Sequence, residues 1–372
     1  MSAKRVVPFN DLRPTKEEKG ELEFIFSAVV DSGRYILGRQ VAAFEEEFAA
    51  YVGAKYCVGV GCGFDALQLI LLANDLQDCA VAVPEIAPLP VWMAVSATGN
   101  HPFPYSYSPK NYGNSKVHFA FNLKSDVDKK FLSEMTAIIV VHMYGMVSDM
   151  EYLLDIAPAG LLIIEDCAQA HGARLVDMSV GSFGDVAAWS FYPTKNLGCL
   201  GDGGAITTSD YRLHRKLLDL REYGKGNYMG LNSRLDELQA AFLRYRLKNL
   251  DQTNEKRRKI AALYDERLIG CDEVTIPLGL SNAHDVYHQY VIFANRRDAL
   301  REFLAEKGVW TMIHYPRPAH EMPVFQDYHY HQPHAHILSS SVVSLPIASV
   351  SEDDVEYVCE KINEFYEQWI VK

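Results

Sequence analysis

The chain has 372 residues, of which 48% are hydrophobic, so it can form a large core or two domains and is too apolar for a disordered protein. Its formal net charge is −12 and it contains no basic run, which argues against a nucleic-acid or anionic-membrane partner. We predict a cytoplasmic protein without a membrane segment, because no apolar run has the length of a membrane span and the N-terminus lacks a signal-peptide core. The seven cysteines lack C-x-x-C spacing and indicate free, mostly buried thiols.

The N-terminal part of the chain predicts two helices and a possible phosphate site. Apolar spacing indicates helices over residues 17–32 and 41–51, with a glycine-bracketed turn at 33–38 between them. A short strand at 56–60 leads to Gly61-Cys62-Gly63-Phe64, which opens a helix that runs to about Ala73. Two glycines before a helix let the backbone approach a ligand, and the free N–H groups of the first turn favour a phosphate. An ordinary helix cap remains the alternative, because a single Gly-x-Gly is weak evidence.

The middle of the chain predicts a parallel sheet with a carboxylate at one strand end. Apolar runs at 81–84, 137–141 and 161–164 are separated by helical stretches, which is typical of a parallel sheet covered on both faces. Residues 85–125 are rich in proline and do not indicate regular structure. Ligand sites gather at the carboxyl ends of such strands, so Asp166 could pair with a protonated ring nitrogen. A helix cap or a structural ion pair is the alternative role for Asp166.

A single lysine stands in an unusual setting after the next apolar run, 186–189. The stretch Ser190-Phe191-Tyr192-Pro193-Thr194-Lys195-Asn196 places Lys195 among aromatic, small and turn-forming residues. Apolar surroundings disfavour the charged form of a lysine, and the neutral amine can attack a carbonyl. A surface lysine on a strand-to-loop connection is the other interpretation.

The remaining chain predicts a second, smaller domain. A basic helix is expected at 210–222, followed by a long helix that starts at Asn232 and leads from a large domain, residues 1–250, into a small C-terminal domain, residues 251–372. There we expect strands at 288–293 and 310–315 and helices at 296–307 and 351–369. The histidine-rich stretch 329–336 lacks cysteine or carboxylate partners at ligand spacing, so it predicts a surface loop and no metal site.

Three of these features together fit one cofactor. A phosphate cup at 61–64, a carboxylate at a strand end and a lysine able to react as a neutral amine match the needs of pyridoxal 5′-phosphate. In this interpretation Asp166 keeps the ring nitrogen protonated. Lys195 first holds the aldehyde and then moves the proton between the substrate Cα and C4′.

The sequence resembles the sugar-nucleotide aminotransferases of the DegT/DnrJ/EryC1/StrS family over nearly its whole length. The motifs that carry the resemblance lie at 35–38, 165–172, 190–196, 230–234, 314–316 and 344–346. The resemblance implies the α/β fold of the type I, aspartate-aminotransferase class of pyridoxal-phosphate enzymes. This fold has a mostly parallel central sheet with helices on both faces and a smaller C-terminal α+β domain.

The resemblance also implies roles for individual residues. Lys195 would bind the cofactor aldehyde, Asp166 would pair with the pyridinium nitrogen, and Gln169 would contact the ring face or its hydroxyl. The phosphate would be held by Ser190, by the backbone of Gly63 and Phe64, and by Asn232 from a partner subunit. The residues expected to contact the nucleotide sugar are Tyr35, Tyr192, His314 and Tyr315.

A narrower similarity, at 63–67, 168–173 and 230–239, concerns the substrate. It resembles the branch of the family that aminates C3 of dTDP-3-keto-6-deoxyhexoses with L-glutamate as donor, for glycan or O-antigen (lipopolysaccharide) biosynthesis. The resemblance further implies a homodimer with shared active sites. Two alternatives stay open: amination at C4, and a non-catalytic member that binds the cofactor or the sugar nucleotide.

Two positions depart from the family pattern. Phe64 stands where relatives commonly have a hydroxyl in the phosphate cup. Prolines lie after the strand at 81–84, about where relatives place an aromatic residue that stacks on the cofactor ring. Either Trp92 takes that role or the ring is held less tightly.

Overall fold

The computed structural model describes residues 5–106, 109–111, 117–119, 127–325 and 333–370. Within these residues the helices are α1 (Lys16–Ser32), α2 (Arg39–Val52), α3 (Gly63–Ala73), α4 (Leu89–Ala97), α5 (Lys129–Ser133), α6 (Met150–Ile156), α7 (Tyr211–Leu220), α8 (Glu237–Leu247), α9 (Leu250–Leu268), α10 (Arg297–Glu306), α11 (Pro333–Ser341) and α12 (Glu352–Ile370). The strands are β1 (Tyr56–Val60), β2 (Ala80–Pro84), β3 (His101–Tyr105), β4 (Pro109–Asn111), β5 (Val117–Phe119), β6 (Ala137–Val141), β7 (Leu162–Asp166), β8 (Arg174–Leu175), β9 (Met178–Ser179), β10 (Val186–Ser190), β11 (Gly204–Thr208), β12 (Val274–Thr275), β13 (Ala283–His284), β14 (Tyr290–Ala294) and β15 (Val342–Leu345).

A seven-stranded sheet forms the centre of the molecule, in the order β1-β11-β10-β7-β6-β2-β3. The neighbours from β10 to β3 pair in parallel, whereas β11 runs antiparallel to both β1 and β10. The inner strand β6 is buried at every position, as expected for a sheet with helices on both faces. The fold predicted from the sequence, a mostly parallel α/β sheet of the aminotransferase type, is confirmed.

The register of three parallel strands places the predicted functional residues at one edge. Val141 of β6 and Ala188 of β10 both lie opposite Asp166, the last residue of β7. Ser190 ends β10 two residues later, and the segment with Lys195 follows it. The carboxyl ends of these strands therefore meet at the edge where ligands bind in open parallel sheets.

The predicted N-terminal helices are confirmed, and their ends have physical causes. Thr15 caps α1 by accepting a hydrogen bond from the Glu18 N–H at 3.1 Å. Gly33 ends the helix in the left-handed region, at φ 64°, which glycine adopts with little strain because it has no Cβ. The predicted strand at 56–60 and the helix after Gly63 are also confirmed.

The proline-rich segment after β2 contains two elements that the sequence did not reveal. Helix α4 begins directly after Pro88, with Pro90 in its first turn, where a missing N–H costs nothing. Strand β3 contains Pro102 and Pro104 and lies at the edge of the sheet. Proline is tolerated on an edge strand because the outer side needs no ladder hydrogen bonds.

The prediction of one long helix from Asn232 is wrong. The structure has two helices, α8 and α9, which are separated at Asn249. Ala240 and Leu243 of α8 belong to the core around the central sheet, whereas Ile260 and Tyr264 of α9 belong to a second core. The break therefore lies between residues that pack into two different cores.

The predicted strand at 310–315 is also wrong. Met312 pairs with Ser344 of β15 in an isolated bridge, and β15 forms its regular ladder with β14 instead. Other predictions in this part of the chain are confirmed by β14, α10 and α12. The histidine-rich stretch 329–336 lies in part outside the described residues. Its described part, from Pro333 onwards, opens α11, so the loop prediction is wrong there.

Buried apolar residues form two clusters, one around the central sheet and a second one in the C-terminal part. The second cluster includes Ile292, Leu345 and Val358, together with Val7 from the N-terminus. Val7 reaches it because its backbone pairs with Val309. The division at residue 250 stays a prediction, with the N-terminal segment packed against the C-terminal part. The seven cysteines are free thiols and most are buried, as predicted.

Candidate active site

Lys195 lies in the segment after β10 and is held there through its neighbour Asn196. The Asn196 side-chain amide donates to Oδ1 of Asn254 at 2.8 Å and to the Val286 carbonyl at 2.9 Å. Its oxygen lies 3.3 Å from Nδ1 of His288. Since Asn254 belongs to α9, this network ties the lysine segment to the helix that leads into the C-terminal part.

The electrostatic environment of Lys195 favours its neutral form. Burial lowers the pKa of the Lys195 amine to about 8, while the charge of Asp166 acts in the opposite direction. At pH 7 about a tenth of the amine is therefore unprotonated, a far larger fraction than for a lysine with an ordinary pKa. The structure thus supports a lysine that can act as a nucleophile and can accept or donate a proton.

Asp166 supplies the negative charge that acts on this lysine. Its side chain is buried, and Oδ1 accepts a hydrogen bond from the Ala168 N–H at 3.0 Å. Among the described residues, Oδ2 receives no hydrogen bond, so it is available to a ligand. Burial raises the pKa of Asp166, whereas the Ala168 hydrogen bond and the charge of Lys195 lower it.

Glu165 precedes Asp166 on β7, and its carboxylate fixes the backbone of residues 181–184. This role was not predicted from the sequence. Its carboxylate accepts three backbone hydrogen bonds at 2.7–2.8 Å, from Gly181, Phe183 and Gly184. A fourth contact, at 3.1 Å, comes from Nε2 of His142. The sequence does carry a signal for this role, namely two adjacent carboxylates at a strand end. Side chains alternate along a strand, so Glu165 and Asp166 must point to opposite faces of the sheet.

Gln169 connects three distant parts of the chain. Its side-chain oxygen accepts from the Tyr144 N–H at 2.7 Å, and its amide donates to the Tyr315 hydroxyl at 2.8 Å. The rings of Tyr144 and Tyr315 stack with centroids 6.3 Å apart. The structure therefore brings two predicted residues, Gln169 and Tyr315, into direct contact, and adds Tyr144.

His314 lies beside Tyr315 and is oriented by β15. Its Nδ1 lies 2.8 Å from the Ser344 hydroxyl, and its ring packs against Phe9 with centroids 5.8 Å apart. Burial and the charge of Lys195 lower the pKa of His314 to about 4, so the ring is neutral at physiological pH. Because the charge of Lys195 acts on the His314 ring, the two side chains lie in the same part of the site.

The predicted phosphate cup has the close backbone packing that its glycines suggested. A Cβ atom at Gly63 would lie 2.7 Å from Cβ of Ser190, so these two predicted residues are adjacent. Cys62 caps α3 by accepting from the Asp65 N–H at 3.4 Å. Ser233 accepts from the Gly61 N–H at 2.9 Å and donates to Asp65 at 2.6 Å. The cup is thus built from a helix start, a strand end and a third segment.

The two departures from the family pattern have structural outcomes. Phe64 is half-buried and packs against the main core, so its side chain belongs to the scaffold. Trp92 is fully buried, and its indole N–H donates to the Pro84 carbonyl at 2.8 Å. Its ring contacts Phe325 at 5.3 Å between centroids. Trp92 therefore has no free ring face for a cofactor, and the hypothesis that it replaces the stacking residue is wrong.

Three predicted residues lie on the surface of a single chain. Asn232, Tyr35 and Tyr192 are exposed, and the side chains of Tyr35 and Tyr192 are each about half accessible, at 53% and 52%. The Tyr35 carbonyl accepts from the Glu237 N–H at 2.9 Å, which fixes the 33–38 turn on α8. The roles of all three residues stay predictions.

A cavity of about 470 Å³ opens beside Lys195. Its volume lies within the range of small-molecule sites. It is lined by residues of the N-terminal segment, the lysine segment, the junction of α8 and α9, and Ala348 and Ser349. Lys195 thus has the buried acid Asp166 near it and a ligand-sized cavity beside it.

Comparisons with known proteins agree with the fold and identify the family. The sequence matches the DegT/DnrJ/EryC1/StrS aminotransferase family over residues 16–363, and the chain belongs to this family. It is accordingly an aminotransferase by family.

Curated relatives and a solved structure resemble the chain over nearly its full length. It is 41% identical to a dTDP-3-amino-3,6-dideoxy-alpha-D-galactopyranose transaminase from Aneurinibacillus thermoaerophilus, covering 97% of this chain and 99% of the relative. It is 40% identical to a dTDP-3-amino-3,4,6-trideoxy-alpha-D-glucose transaminase from Streptomyces venezuelae, covering 92% and 91%. The crystal structure of S. venezuelae DesV in complex with a ketimine intermediate superposes with a TM-score of 0.88 at 38% identity, covering 97% and 98%.

No helix among the described residues combines the length and the apolar character that crossing a membrane requires.

Proposed function

We propose that this protein transfers an amino group from L-glutamate to C3 of a dTDP-3-keto-6-deoxyhexose, giving a dTDP-3-amino-3,6-dideoxyhexose. The observation that carries the proposal is the placement of Lys195, whose pKa burial lowers to about 8, within the electrostatic reach of the buried carboxyl group of Asp166 at the end of the neighbouring strand β7. The two similar relatives are both named as transaminases of dTDP-3-amino sugars, which supports C3 as the position of amination.

The residues present fit pyridoxal 5′-phosphate. Oδ2 of Asp166 receives no hydrogen bond among the described residues, and the start of α3 can lie this close to Ser190 only because Gly63 has no Cβ. We infer that Lys195, Asp166 and Gln169 hold the ring, and that Ser190 with the backbone of Gly63 and Phe64 holds the phosphate. When bound, this cofactor accepts the amino group from the donor and delivers it to the ketosugar.

The side chains of this chain would divide the proton chemistry between them. The carboxylate form of Asp166 would stabilise a positive charge on the ring nitrogen of the bound cofactor. The Nζ atom of Lys195 can take up and release a proton near neutral pH because its pKa is about 8. The 2.8 Å hydrogen bond from Gln169 to the Tyr315 hydroxyl would fix the orientation of the Gln169 amide toward the ring.

The proposed assembly is a homodimer in which Asn232 reaches the phosphate of the partner subunit. The exposure of Asn232 in a single chain supports this role, because a residue that serves a partner must lie on the surface. A cytoplasmic location and a place in glycan or O-antigen (lipopolysaccharide) biosynthesis remain predictions.

The experiment that tests the function combines spectroscopy with product analysis. The purified protein, supplied with pyridoxal 5′-phosphate, should show visible absorbance that Lys195→Ala abolishes. Lys259→Ala, a change of an exposed lysine on α9, serves as the matched control and should keep the spectrum. With L-glutamate and a dTDP-3-keto-6-deoxyhexose, NMR of the product should show nitrogen on C3.

Two results would refute the proposal. An unchanged spectrum in Lys195→Ala would exclude this lysine as the cofactor ligand. Amination of a C4-ketosugar in preference to the C3-ketosugar would assign the enzyme to the other positional class, and absence of transfer with both would leave a binding protein.

A further inference from the structure

The cavity beside Lys195 is built from segments that the sequence keeps far apart. The N-terminal segment is fastened to the C-terminal part by Asp11, whose N–H donates to Oγ of Ser349 at 3.2 Å and whose carbonyl accepts from it at 3.1 Å. On another wall, Arg246 of α8 donates to the Gly198 carbonyl at 2.6 Å. Hydrogen bonds across the walls therefore define the cavity shape.

The side chains that line this cavity carry an excess of positive charge. Five are cationic and two are acidic: Arg13, Lys195, Arg246, Lys256 and Arg257 against Asp11 and Glu18. Both acids are already engaged, Asp11 by Arg13 at 2.5 Å and Glu18 by Arg246 at 2.8 Å. A local cationic excess in a chain with a net charge of −12 indicates a site for an anion.

Two of the cavity cations, Lys256 and Arg257, have no carboxylate partner among the described residues. Arg257 is 7% exposed and donates to the carbonyls of Tyr287 and His288 at 3.1 and 3.2 Å. These acceptors are neutral, so they orient the guanidinium without neutralising it. Burial lowers the pKa of Arg257 to about 10, which still leaves it charged at physiological pH.

Lys256 differs from Arg257 because it is exposed and is not held by a partner among the described residues. It is exposed on α9, and its ammonium forms neither a hydrogen bond nor an ion pair within the described part of the chain. A flexible lysine beside a fixed, buried cation can close onto an anionic group that enters the cavity. Lys195 lines the same cavity, so that anion would bind in the cavity to which the lysine segment contributes.

We propose that this cavity binds the anionic group of a substrate, with Lys256 as the direct ligand and Arg257 as the buried cation that attracts it. The shared chemistry is a carboxylate or phosphate oxygen, supplied either by the amino-acid donor or by the diphosphate of the sugar nucleotide. The inference rests on the proposed function for its choice of substrates and adds the residues that recognise them.

The test measures binding to the cofactor-loaded protein by calorimetry, without turnover. The probes are thymidine diphosphate for the nucleotide and glutarate for the donor. Lys256→Gln should weaken one probe by roughly 10- to 150-fold, as expected for loss of one charge-assisted hydrogen bond. Lys259→Gln is the matched control, since Lys259 is an exposed lysine of the same helix and does not line the cavity.

Each outcome has a defined meaning. Weaker binding of thymidine diphosphate assigns the cavity to the diphosphate, and weaker binding of glutarate assigns it to the donor carboxylate. Unchanged binding of both probes, equal weakening by Lys259→Gln, or no binding of either probe to the unaltered protein overturns the proposal. Because no step requires amino transfer, failure of the proposed function would appear in the product assay and not in these constants.

Discussion

At the scale of single residues, the site depends on what burial does to Lys195. An exposed lysine keeps its ammonium hydrated, whereas withdrawal from water disfavours the charged form. Burial lowers the pKa of Lys195 to about 8, even though the charge of Asp166 opposes that shift. The amine is therefore protonated and unreactive well below pH 8 and neutral above it.

The first prediction follows from the direction of this pKa shift. Covalent capture of pyridoxal 5′-phosphate on Lys195, trapped with borohydride and quantified by peptide mass spectrometry, should rise with pH and reach half its maximum near pH 8. Asp166→Asn should move the midpoint to lower pH, because it removes the charge that favours the ammonium. Capture on the exposed Lys259 should increase at higher pH than capture on Lys195. A shared midpoint for the two lysines would contradict the argument.

The second prediction concerns the close approach of Gly63 to Ser190. A Cβ added at Gly63 would lie 2.7 Å from Ser190 Cβ and 3.2 Å from its Cα, so one of the two segments must move. Gly63→Ala should destabilise the fold by about 1–3 kcal/mol, as overpacking usually does. It should also weaken retention of the cofactor. Denaturant unfolding and dialysis against cofactor-free buffer measure the two effects.

Gly20→Ala supplies the control for this substitution. Gly20 lies within α1 with no atom within 4 Å of an added Cβ. Alanine there should stabilise the helix by roughly 0.5–1 kcal/mol, because it restricts the unfolded chain more than glycine does. If Gly63→Ala were equally stabilising, the packing argument for the cup would be wrong.

At the scale of elements, one carboxylate joins the start of α2 to α8 and fixes the 33–38 turn. Glu237 is buried, and its carboxylate accepts from the backbone N–H groups of Gly38, Gln40 and Val41 at 2.8–3.0 Å. Since Gly38 has no capping side chain, Glu237 satisfies helix donors from a distant part of the chain and complements the helix dipole.

The third prediction is that Glu237→Gln destabilises the protein by about 1–3 kcal/mol, because a neutral amide accepts these hydrogen bonds less strongly and offers a donor where donors already point. Thermal or urea unfolding measures the change. Glu46→Gln is the matched control, since Glu46 is exposed on α2. Equal losses in both variants would show that general surface charge, and not the cap, is responsible.

At the scale of the whole molecule, helix α1 exposes large apolar side chains. Leu22 and Val29 are buried, but Phe24 and Phe26 are 71% and 51% exposed and Val30 is 43% exposed. Phe26 and Val30, four residues apart, share one side of the helix, and Phe24 lies on another side. We infer that these exposed apolar side chains contact another protein. The proposed dimer supplies such a contact, with a second copy of the chain as the partner.

The fourth prediction tests that assignment. Phe24→Ser should raise the dimer dissociation constant at least tenfold, because losing an aromatic side chain that anchors an interface costs about 2 kcal/mol or more. Sedimentation velocity across a concentration series measures it. Amino transfer should fall in parallel with the dimer, since Asn232 is proposed to complete the partner's site.

Val324→Ser is the control, because Val324 is also exposed, at 66%, but lies in the C-terminal part. A Phe24→Ser protein that stays dimeric would exclude α1 from the interface. A monomer with full activity would exclude the shared site itself.

Local features of the sequence determined much of this protein. Apolar periodicity predicts α1, α2 and the buried strands β6 and β7, because these elements are encoded by neighbours along the chain. The functional residues Asp166 and Lys195 follow from the same logic, since Asp166 ends one parallel strand and Lys195 lies five residues after the end of the next one along the chain. A strand end and a glycine pair are signals that can be seen without knowing the fold.

Tertiary structure decided what depends on residues far apart in sequence. The break between α8 and α9 lies between residues that pack into two different cores. The contact of Gln169 with Tyr315 spans 146 residues. The burial of Trp92, the cap supplied by Glu237 and the cationic cavity beside Lys195 likewise depend on packing. Periodicity reports which face of an element is apolar, but the partner of that face, and the charges it brings together, are set by the folded chain.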